Sequence, residues 1–210
     1  MTDNNYRKMG LSRFLMNKVL KDWSNRCDFL YLFANDSVLE FYPKFGFERI
    51  CEYQHSKAII KNSVNIKSRK LNIFNPNDYE VLKRCYNLSN PFSVLQVKNN
   101  WELLMFYCMF VLKDNVYYIE QYDTIVIAEY DGENMICYEM FCPTCISLND
   151  ILSAMIDEKT TRVVFGFTPI DKTKCTVELL DAENTNLFVY KGKENIFEDK
   201  QQMFPIISYL

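Results

Sequence analysis

The stretch Asn-Asp-Ser-Val-Leu-Glu-Phe-Tyr-Pro-Lys-Phe-Gly-Phe, residues 35–47, determines the fold that we predict for this chain. It follows the unbroken apolar run Phe-Leu-Tyr-Leu-Phe-Ala at 29–34, which is typical of a strand buried on both faces of a parallel sheet. Asn35 is therefore expected at the carboxyl end of that strand, where open α/β sheets bind ligands. Ser37 is expected to cap a short helix, and Gly46 is expected to end it with a positive φ.

A second motif lies upstream, where Arg-Lys-Met-Gly-Leu-Ser at 7–12 precedes an amphipathic helix. The predicted apolar face of this helix consists of Leu11, Phe14, Leu15, Val19, Leu20 and Trp23. A small-residue turn at a helix start directs backbone N–H groups and the positive end of the helix dipole toward one point, which predicts an anion site. Residues 1–26 carry six basic and two acidic side chains in a chain of net charge −3. An anionic cofactor fits this charge, although a solvated basic helix face would give the same count.

Taken together, the two motifs resemble the coenzyme A half of a GNAT-superfamily (GCN5-related) N-acetyltransferase. The residues that carry the resemblance are Arg7-x-x-Gly10-x-Ser12, then a helix and a buried strand, then Asn35-x-x-Val38-x-x-Phe41-Tyr42-x-x-x-Gly46-Phe47. The resemblance implies an α/β fold with a mixed (α+β) sheet. It also implies an enzyme that transfers an acyl group from acyl-CoA, such as acetyl-CoA, to an amine acceptor. Ser12 is a mild departure, because the family has Gly or Ala at that position.

The resemblance also assigns roles to individual residues. The loop and first helical turn would hold the pyrophosphate of acyl-CoA through Arg7, Met9, Gly10, Leu11, Ser12 and Arg13. Asn35 would bond the pantetheine arm, and Tyr42 would protonate the leaving thiolate. Pro43 predicts that the helix stops or kinks at Tyr42. Without the flanking motif, Tyr42 would be interpreted as a core tyrosine on a short helix.

The same resemblance divides the chain into two domains. Residues 1–66 are expected to be the carboxyl-terminal half of a GNAT acyl-CoA-binding domain whose amino-terminal part is missing. Residues 67–210 are expected to form a second, degenerate GNAT-like domain, as in tandem members of the superfamily. In this second domain, Cys-Pro-Thr-Cys-Ile-Ser at 142–147 stands where the phosphate loop would be. This segment lacks glycine, so the second domain is not expected to bind CoA.

The remaining secondary structure is predicted from apolar spacing and turn residues. The predicted strands are 47–53 (continuing toward 59–60), 71–74, 116–122, 124–130, 135–141, 162–167 and a last pair at 178–180 and 187–190. The predicted helices are 79–88, the first half of 101–112, and 147–156, which Ser147 would cap. A linker is expected at 61–69, a hairpin turn at 131–134, and docking of the apolar tail at 203–207.

Several other functions find no support in the sequence. No apolar run approaches the ~20 residues of a membrane span and the first residues are polar, so no membrane association and a cytoplasmic location are expected. The net charge of −3 gives no indication of a nucleic-acid partner. The eight cysteines are dispersed and are expected to be reduced thiols. Cys142-x-x-Cys145 lacks a second pair, and His55 is the one histidine, so no metal is expected.

A rival interpretation places the chain in a different functional class. The chain would be a truncated, non-catalytic fragment that binds CoA or another protein. Loss of the amino-terminal strands would leave the strand at 29–34 on an exposed sheet edge, which is a known route to pairing with another chain. This interpretation predicts a homodimer, strand exchange or poor solubility.

Overall fold

Ten strands and four α-helices form the secondary structure of the described residues, which are 3–6, 8–60, 66–181 and 184–209 of the computed structural model. The strands are β1 (Tyr31–Ala34), β2 (Phe47–Arg49), β3 (Tyr53–Ala58), β4 (Arg69–Lys70), β5 (Val116–Ile119), β6 (Thr124–Asp131), β7 (Asn134–Phe141), β8 (Arg162–Phe165), β9 (Cys175–Leu179) and β10 (Asn186–Tyr190). The helices are α1 (Leu11–Trp23), α2 (Pro76–Tyr86), α3 (Trp101–Phe106) and α4 (Leu148–Met155). The predicted α/β class with a mixed sheet is confirmed, since β7 and β8 are parallel and the other strand pairs are antiparallel.

The strands separate into two sheets, and the chain separates into two compact units. The first unit comprises Met1–Glu52 and Leu180–Gln201, and its sheet has the order β1-β10-β2. The second unit comprises Tyr53–Leu179 and Gln202–Leu210, and its sheet has the order β4-β5-β6-β7-β8-β3-β9. These compact units follow other boundaries than the domains 1–66 and 67–210, which stay a prediction.

The central strand of the first unit comes from late in the sequence. Strand β10 pairs antiparallel with β1, where Ala34 is opposite Asn186, and with β2, where Phe47 is opposite Tyr190. The predicted parallel strand at 29–34 is therefore wrong. The strand is shorter and antiparallel, and of residues 29–34 only Ala34 is fully buried. A continuous apolar run identifies a strand but does not specify the direction of its neighbour.

Helix α1 packs on this sheet through a different face from the one predicted. The small core of the first unit contains Ala34, Phe47 and Phe188, and α1 contributes the half-buried Met16 and Leu20 to it. The predicted face is largely exposed: Phe14 is 65%, Leu15 57% and Trp23 53% accessible, and Leu11 and Val19 are also exposed. Of the six predicted positions, Leu20 packs on the core, while Met16 was missed because it lies beside the apolar stripe.

Two further predictions of strands are wrong in their pairing or extent. The predicted strand at 47–53 is two strands, β2 and β3, which belong to different sheets. The expected last pair is also divided, because β9 pairs with β3 while β10 lies between β1 and β2. Residues 71–74 form a loop and turn after the short β4. Apolar spacing indicates that a segment is a strand, but the partner depends on contacts between distant parts of the chain.

The second unit agrees more closely with the predictions because its signals are local. Strands β6 and β7 form the expected hairpin, with Asp131 opposite Asn134 and Gly132 at φ 58°. Ser147 caps α4 by accepting the Asp150 N–H at 3.1 Å. Helix α4 lies in the connection between β7 and β8, which are parallel, so these three elements form a βαβ unit. Helix α4 packs in one buried cluster with residues of the seven-stranded sheet, and helices α2 and α3 pack in a second cluster. The tail residue Met203 is buried, as expected.

All eight cysteines are free thiols, and four of them are buried. His55 lies on β3 and is fully buried. In the part of the chain that the structure describes, no helix has the length and hydropathy needed to cross a membrane.

Candidate functional site: the loop before the first helix

The backbone of the loop before α1 contains two residues with a positive φ. Gly10 is the N-cap residue of α1 at φ 76°, and it forms no side-chain cap hydrogen bond. Lys8 also has a positive φ, of 64°. A Cβ added to Gly10 would meet no atom within 4 Å, so this face of the loop is open. The loop can therefore approach a ligand closely, with the N-terminal amides of α1 directed toward it.

The loop and the first turn of α1 border an open cleft of about 790 Å³, a volume that includes the solvent at its mouth. Its lining residues are Tyr6, Lys8, Gly10, Leu11, Ser12, Arg13 and Phe41. These described residues include two cations and no carboxylate, so the cleft is electropositive. Of the predicted pyrophosphate-binding residues, four lie together here. Met9 is exposed outside the lining, and Arg7 lies outside the described residues.

Asn35, and not the predicted Ser37, caps the short helix that follows β1. Its Oδ1 accepts the Ser37 N–H at 3.0 Å, and its Nδ2 donates to Oδ1 of Asn184 at 3.1 Å. The capped element is the single 3₁₀ turn Asp36–Val38. The predicted cap at Ser37 is therefore wrong, because Asn35 has the extended backbone of an N-cap and the shorter reach to the following N–H. Asn35 does not line the cleft.

Tyr42 begins a second 3₁₀ helix, Tyr42–Phe45, with Pro43 next to it. The predicted stop or kink at Tyr42 is therefore wrong, because the interruption lies at residues 39–41 and the second helix runs through Pro43, which is tolerated in a first helical turn. Gly46 ends this helix at φ 87°, as expected. The Tyr42 ring packs on Phe188 with centroids 5.6 Å apart, and on Phe47 at 6.3 Å. Its hydroxyl has no hydrogen-bond partner within the described ranges. Tyr42 is half-buried and does not line the cleft, although its neighbour Phe41 does.

Two residues that support this region were missed by the sequence analysis. Phe41 forms a wall of the cleft, and its position in the quoted motif was the available signal. Asn186 is buried on β10, and its Nδ2 donates to the Ala34 carbonyl at 3.2 Å and to Oδ1 of Asp36 at 2.7 Å. These bonds fix the end of β1, just before Asn35. No local pattern connects Asn186 with residues 150 positions earlier.

A second cavity, in the second unit, contains a buried carboxylate. Its volume is about 630 Å³, including the solvent at its mouth, and it is lined by Tyr86, Asn87, Ser89, Asn90, Gln96, Val97, Lys98, Asn99, Glu139 and Phe141. Glu139 is 7% exposed, and its Oε1 accepts hydrogen bonds from Asn90 Nδ2 and from the Met140 N–H. Burial raises the pKa of Glu139 to about 7, although both hydrogen bonds act in the opposite direction. A lone acid in an apolar strand was the signal that could have identified it.

No metal centre accompanies either cavity. Among the residues that the structure describes, no group of three or more His, Cys, Asp and Glu side chains is arranged to hold a metal ion.

The comparisons with known proteins concern the fold. No protein-family model matches the sequence, and no curated protein matches it. A conserved protein from Enterococcus faecalis V583, described as a probable N-acyltransferase, matches with a TM-score of 0.54 over 90% of this chain and 51% of its own. Eis1 from Mycobacterium abscessus matches with a TM-score of 0.51 over 88% of this chain and 53% of its own. A GCN5-related N-acetyltransferase from Kribbella flavida matches with a TM-score of 0.48 over 90% and 50%.

The sequence identity is 14% in all three cases. The chain spans about half the length of these solved structures. At this identity the likeness describes the arrangement of helices and strands and not the chemistry.

The raised pKa of Glu139 predicts a measurable effect of pH on stability. Between about pH 4.5 and about pH 7, the folded chain holds one more proton at Glu139 than the unfolded chain does. The contribution of Glu139 to the free energy of unfolding is therefore expected to fall as pH rises through this window, by about 1.4 kcal/mol per pKa unit. The thiols of Cys137 and Cys142 stay neutral here, since burial raises the pKa of both.

The measurement is urea unfolding of the natural chain and of Glu139→Gln at several pH values between about 5 and 8. The stability difference between the two proteins should change with pH in the stated direction. A constant difference across this range would contradict a raised pKa at Glu139.

At the level of architecture the resemblance noted in the sequence is confirmed, since the chain has the fold of the Enterococcus faecalis protein and of Eis1.

Proposed function

We propose that the chain is the acyl-CoA-binding part of an N-acyltransferase that moves an acetyl or other acyl group to an amine. The observation that carries the proposal is the electropositive cleft at the start of α1, where Gly10, Ser12 and Arg13 come together. The GNAT-like fold supports the same assignment. Because the chain spans about half the length of the matched structures, the activity of the whole protein is part of the proposal.

The loop would hold the pyrophosphate mainly through its backbone. The backbone N–H groups in the first turn of an α-helix are directed away from the helix body and can donate to phosphate oxygens. A single charge at an exposed helix end contributes only about 0.3–1 kcal/mol, so several amides must act together. Lys8 and Arg13 border the same cleft and would add charge-assisted hydrogen bonds.

Asn35 and Tyr42 would act on the other end of the cofactor. Asn35 uses Oδ1 for its cap, and its Nδ2 makes one bond to Asn184 among the described residues. An amide nitrogen has a second N–H, which would donate to the pantetheine arm. When the amine attacks the thioester carbonyl and the carbon–sulfur bond breaks, the Tyr42 hydroxyl would give its proton to the departing thiolate.

The first test is calorimetric titration of acetyl-CoA into the chain, with Gly10→Glu as the disrupting variant. This change adds a carboxylate at a residue with φ 76° on the open face of the loop, so we expect a loss of affinity of at least about tenfold. Gly192→Glu is the matched control. Gly192 also has a positive φ and open space around it, and it belongs to the same unit.

Binding that Gly10→Glu removes and Gly192→Glu retains would support the cofactor site. Absence of binding, or equal loss in both variants, would overturn the assignment of the loop.

A second test separates the role of Tyr42 in chemistry from its role in packing. Tyr42→Phe keeps the ring contacts with Phe188 and Phe47 but removes the hydroxyl. We expect the rate of CoA release in the presence of a set of primary amines to fall by about 10²–10⁴-fold, with acetyl-CoA affinity unchanged. Unchanged turnover would remove Tyr42 from the mechanism.

A second candidate function is protein binding, and the exposed apolar face of α1 favours it. Phe14, Leu15 and Trp23 are each more than half exposed on this helix. Leu15, Val19 and Trp23 are exposed at four-residue spacing and therefore lie along one side of α1, and apolar patches of this kind mark interaction surfaces. We take a second copy of the chain as the partner, in agreement with the homodimer that the rival interpretation predicts.

Light scattering across a range of concentrations tests this candidate. The natural chain should dimerise, and Leu15→Glu should weaken the dimer by at least about tenfold, because the interface would bury an unpaired charge. Asn17→Glu, an equally charged change at an exposed polar position of α1, is the control. A natural chain that stays monomeric at all concentrations would exclude the homodimer.

A further inference from the structure

Glu139 is held in a fixed arrangement inside the cavity of the second unit. Asn90, which donates to Glu139, is itself fixed: its Oδ1 accepts the Phe92 N–H at 3.0 Å, and its backbone carbonyl accepts Gln96 Nε2 at 2.7 Å. Asn90 Nδ2 and the Met140 N–H both donate to the same oxygen of Glu139, Oε1. The carboxylate is therefore oriented by its surroundings without being neutralised by a cation.

The walls around Glu139 suit a cationic ligand. The amides of Asn87, Gln96 and Asn99 in the lining carry acceptor oxygens, and the rings of Tyr86 and Phe141, with centroids 5.5 Å apart, supply aromatic surface. Aromatic faces attract ammonium groups, more strongly where water is excluded. Lys98 is the one cation in the lining. It is exposed, so water screens its charge.

Two loop residues of the cavity lining have a positive φ: Ser89 at 62° and Asn99 at 56°. A serine in this conformation is uncommon, whereas asparagine adopts it readily. Ser89 is therefore the strained residue of the pair. Strained residues persist where their surroundings hold them, and they cluster at ligand sites, so Ser89 is an observation independent of the carboxylate.

We propose that this cavity binds a small primary amine, whose ammonium group pairs with the Glu139 carboxylate. The ammonium donates to Glu139, while the amide oxygens of the lining accept its remaining N–H groups. The site is separate from the loop before α1 and does not depend on the proposed acyl transfer. Its ligand class follows from one buried anion, acceptor amides and aromatic walls.

The test is a titration of n-butylammonium into the whole chain at about pH 8, above the pKa of about 7 of Glu139, so that the carboxylate is ionised. Binding is monitored by the chemical shifts of the cavity side-chain amides. Neutral 1-butanol, which has the same size, is the ligand control. We expect saturable binding of n-butylammonium and none of 1-butanol. Glu139→Gln should weaken binding by at least about tenfold, since it removes the charge while keeping an oxygen for Asn90 and Met140. Glu102→Gln, on exposed α3 surface, controls for the change in net charge.

A second variant covers the case in which Glu139→Gln alters the fold. Val97→Trp fills the cavity from its exposed side without touching Glu139, and it should also abolish binding. Three results would each overturn the proposal: no saturation with n-butylammonium, equal binding of 1-butanol, or equal binding by natural and Glu139→Gln chains.

Discussion

Strand β10 supplies hydrogen bonds to both β1 and β2, which do not pair with each other in the described sheet. Asn186 adds side-chain bonds to the Ala34 carbonyl and to Asp36, and Tyr190 lies 3.3 Å from the space that a Cβ on Gly46 would occupy. The core of Ala34, Phe47 and Phe188 takes one residue from each of the three strands. The positions of Asn35 and Tyr42 therefore depend on β10, which is distant in sequence. Strand β10 holds both β1, which precedes Asn35, and β2, which follows Tyr42.

Features that depend on neighbouring residues were predicted well, and features that depend on distant pairing were not. Ser147 as a cap, Gly132 in a hairpin turn and Gly46 at a positive φ each follow from the conformation of one short segment. The split of 47–53 between two sheets could not be predicted, because apolar spacing is the same on either side of Arg49. The exposure of Phe14 had a similar cause. A helix with apolar residues on more than one side does not specify which side meets the sheet.

The same limit applies to the candidate sites. Gly10, Ser12 and Arg13 lie within four positions of one another, so one sequence motif contains all three and the cleft was largely predictable. The cap at Asn35 was misassigned by two residues, since both Asn and Ser are good N-cap residues. Glu139 was overlooked because its partner Asn90 precedes it by 49 positions. The two cavities have opposite charge character: backbone amides and cations in one, and a buried carboxylate in the other. Each suits a different class of ligand.

The insertion of β10 between β1 and β2 also has a consequence for the order of folding. Every residue of the second unit from Tyr53 to Leu179 lies in the loop that must close before the first sheet is complete. Closing a flexible loop of that length costs conformational entropy, and contacts between such distant segments slow folding. If the second unit folds first, residues 53–179 become compact, and fewer flexible residues remain to be ordered when the loop closes. During synthesis, β1 and β2, which flank Asn35 and Tyr42 in the sequence, would remain unpaired until the ribosome has released residue 190.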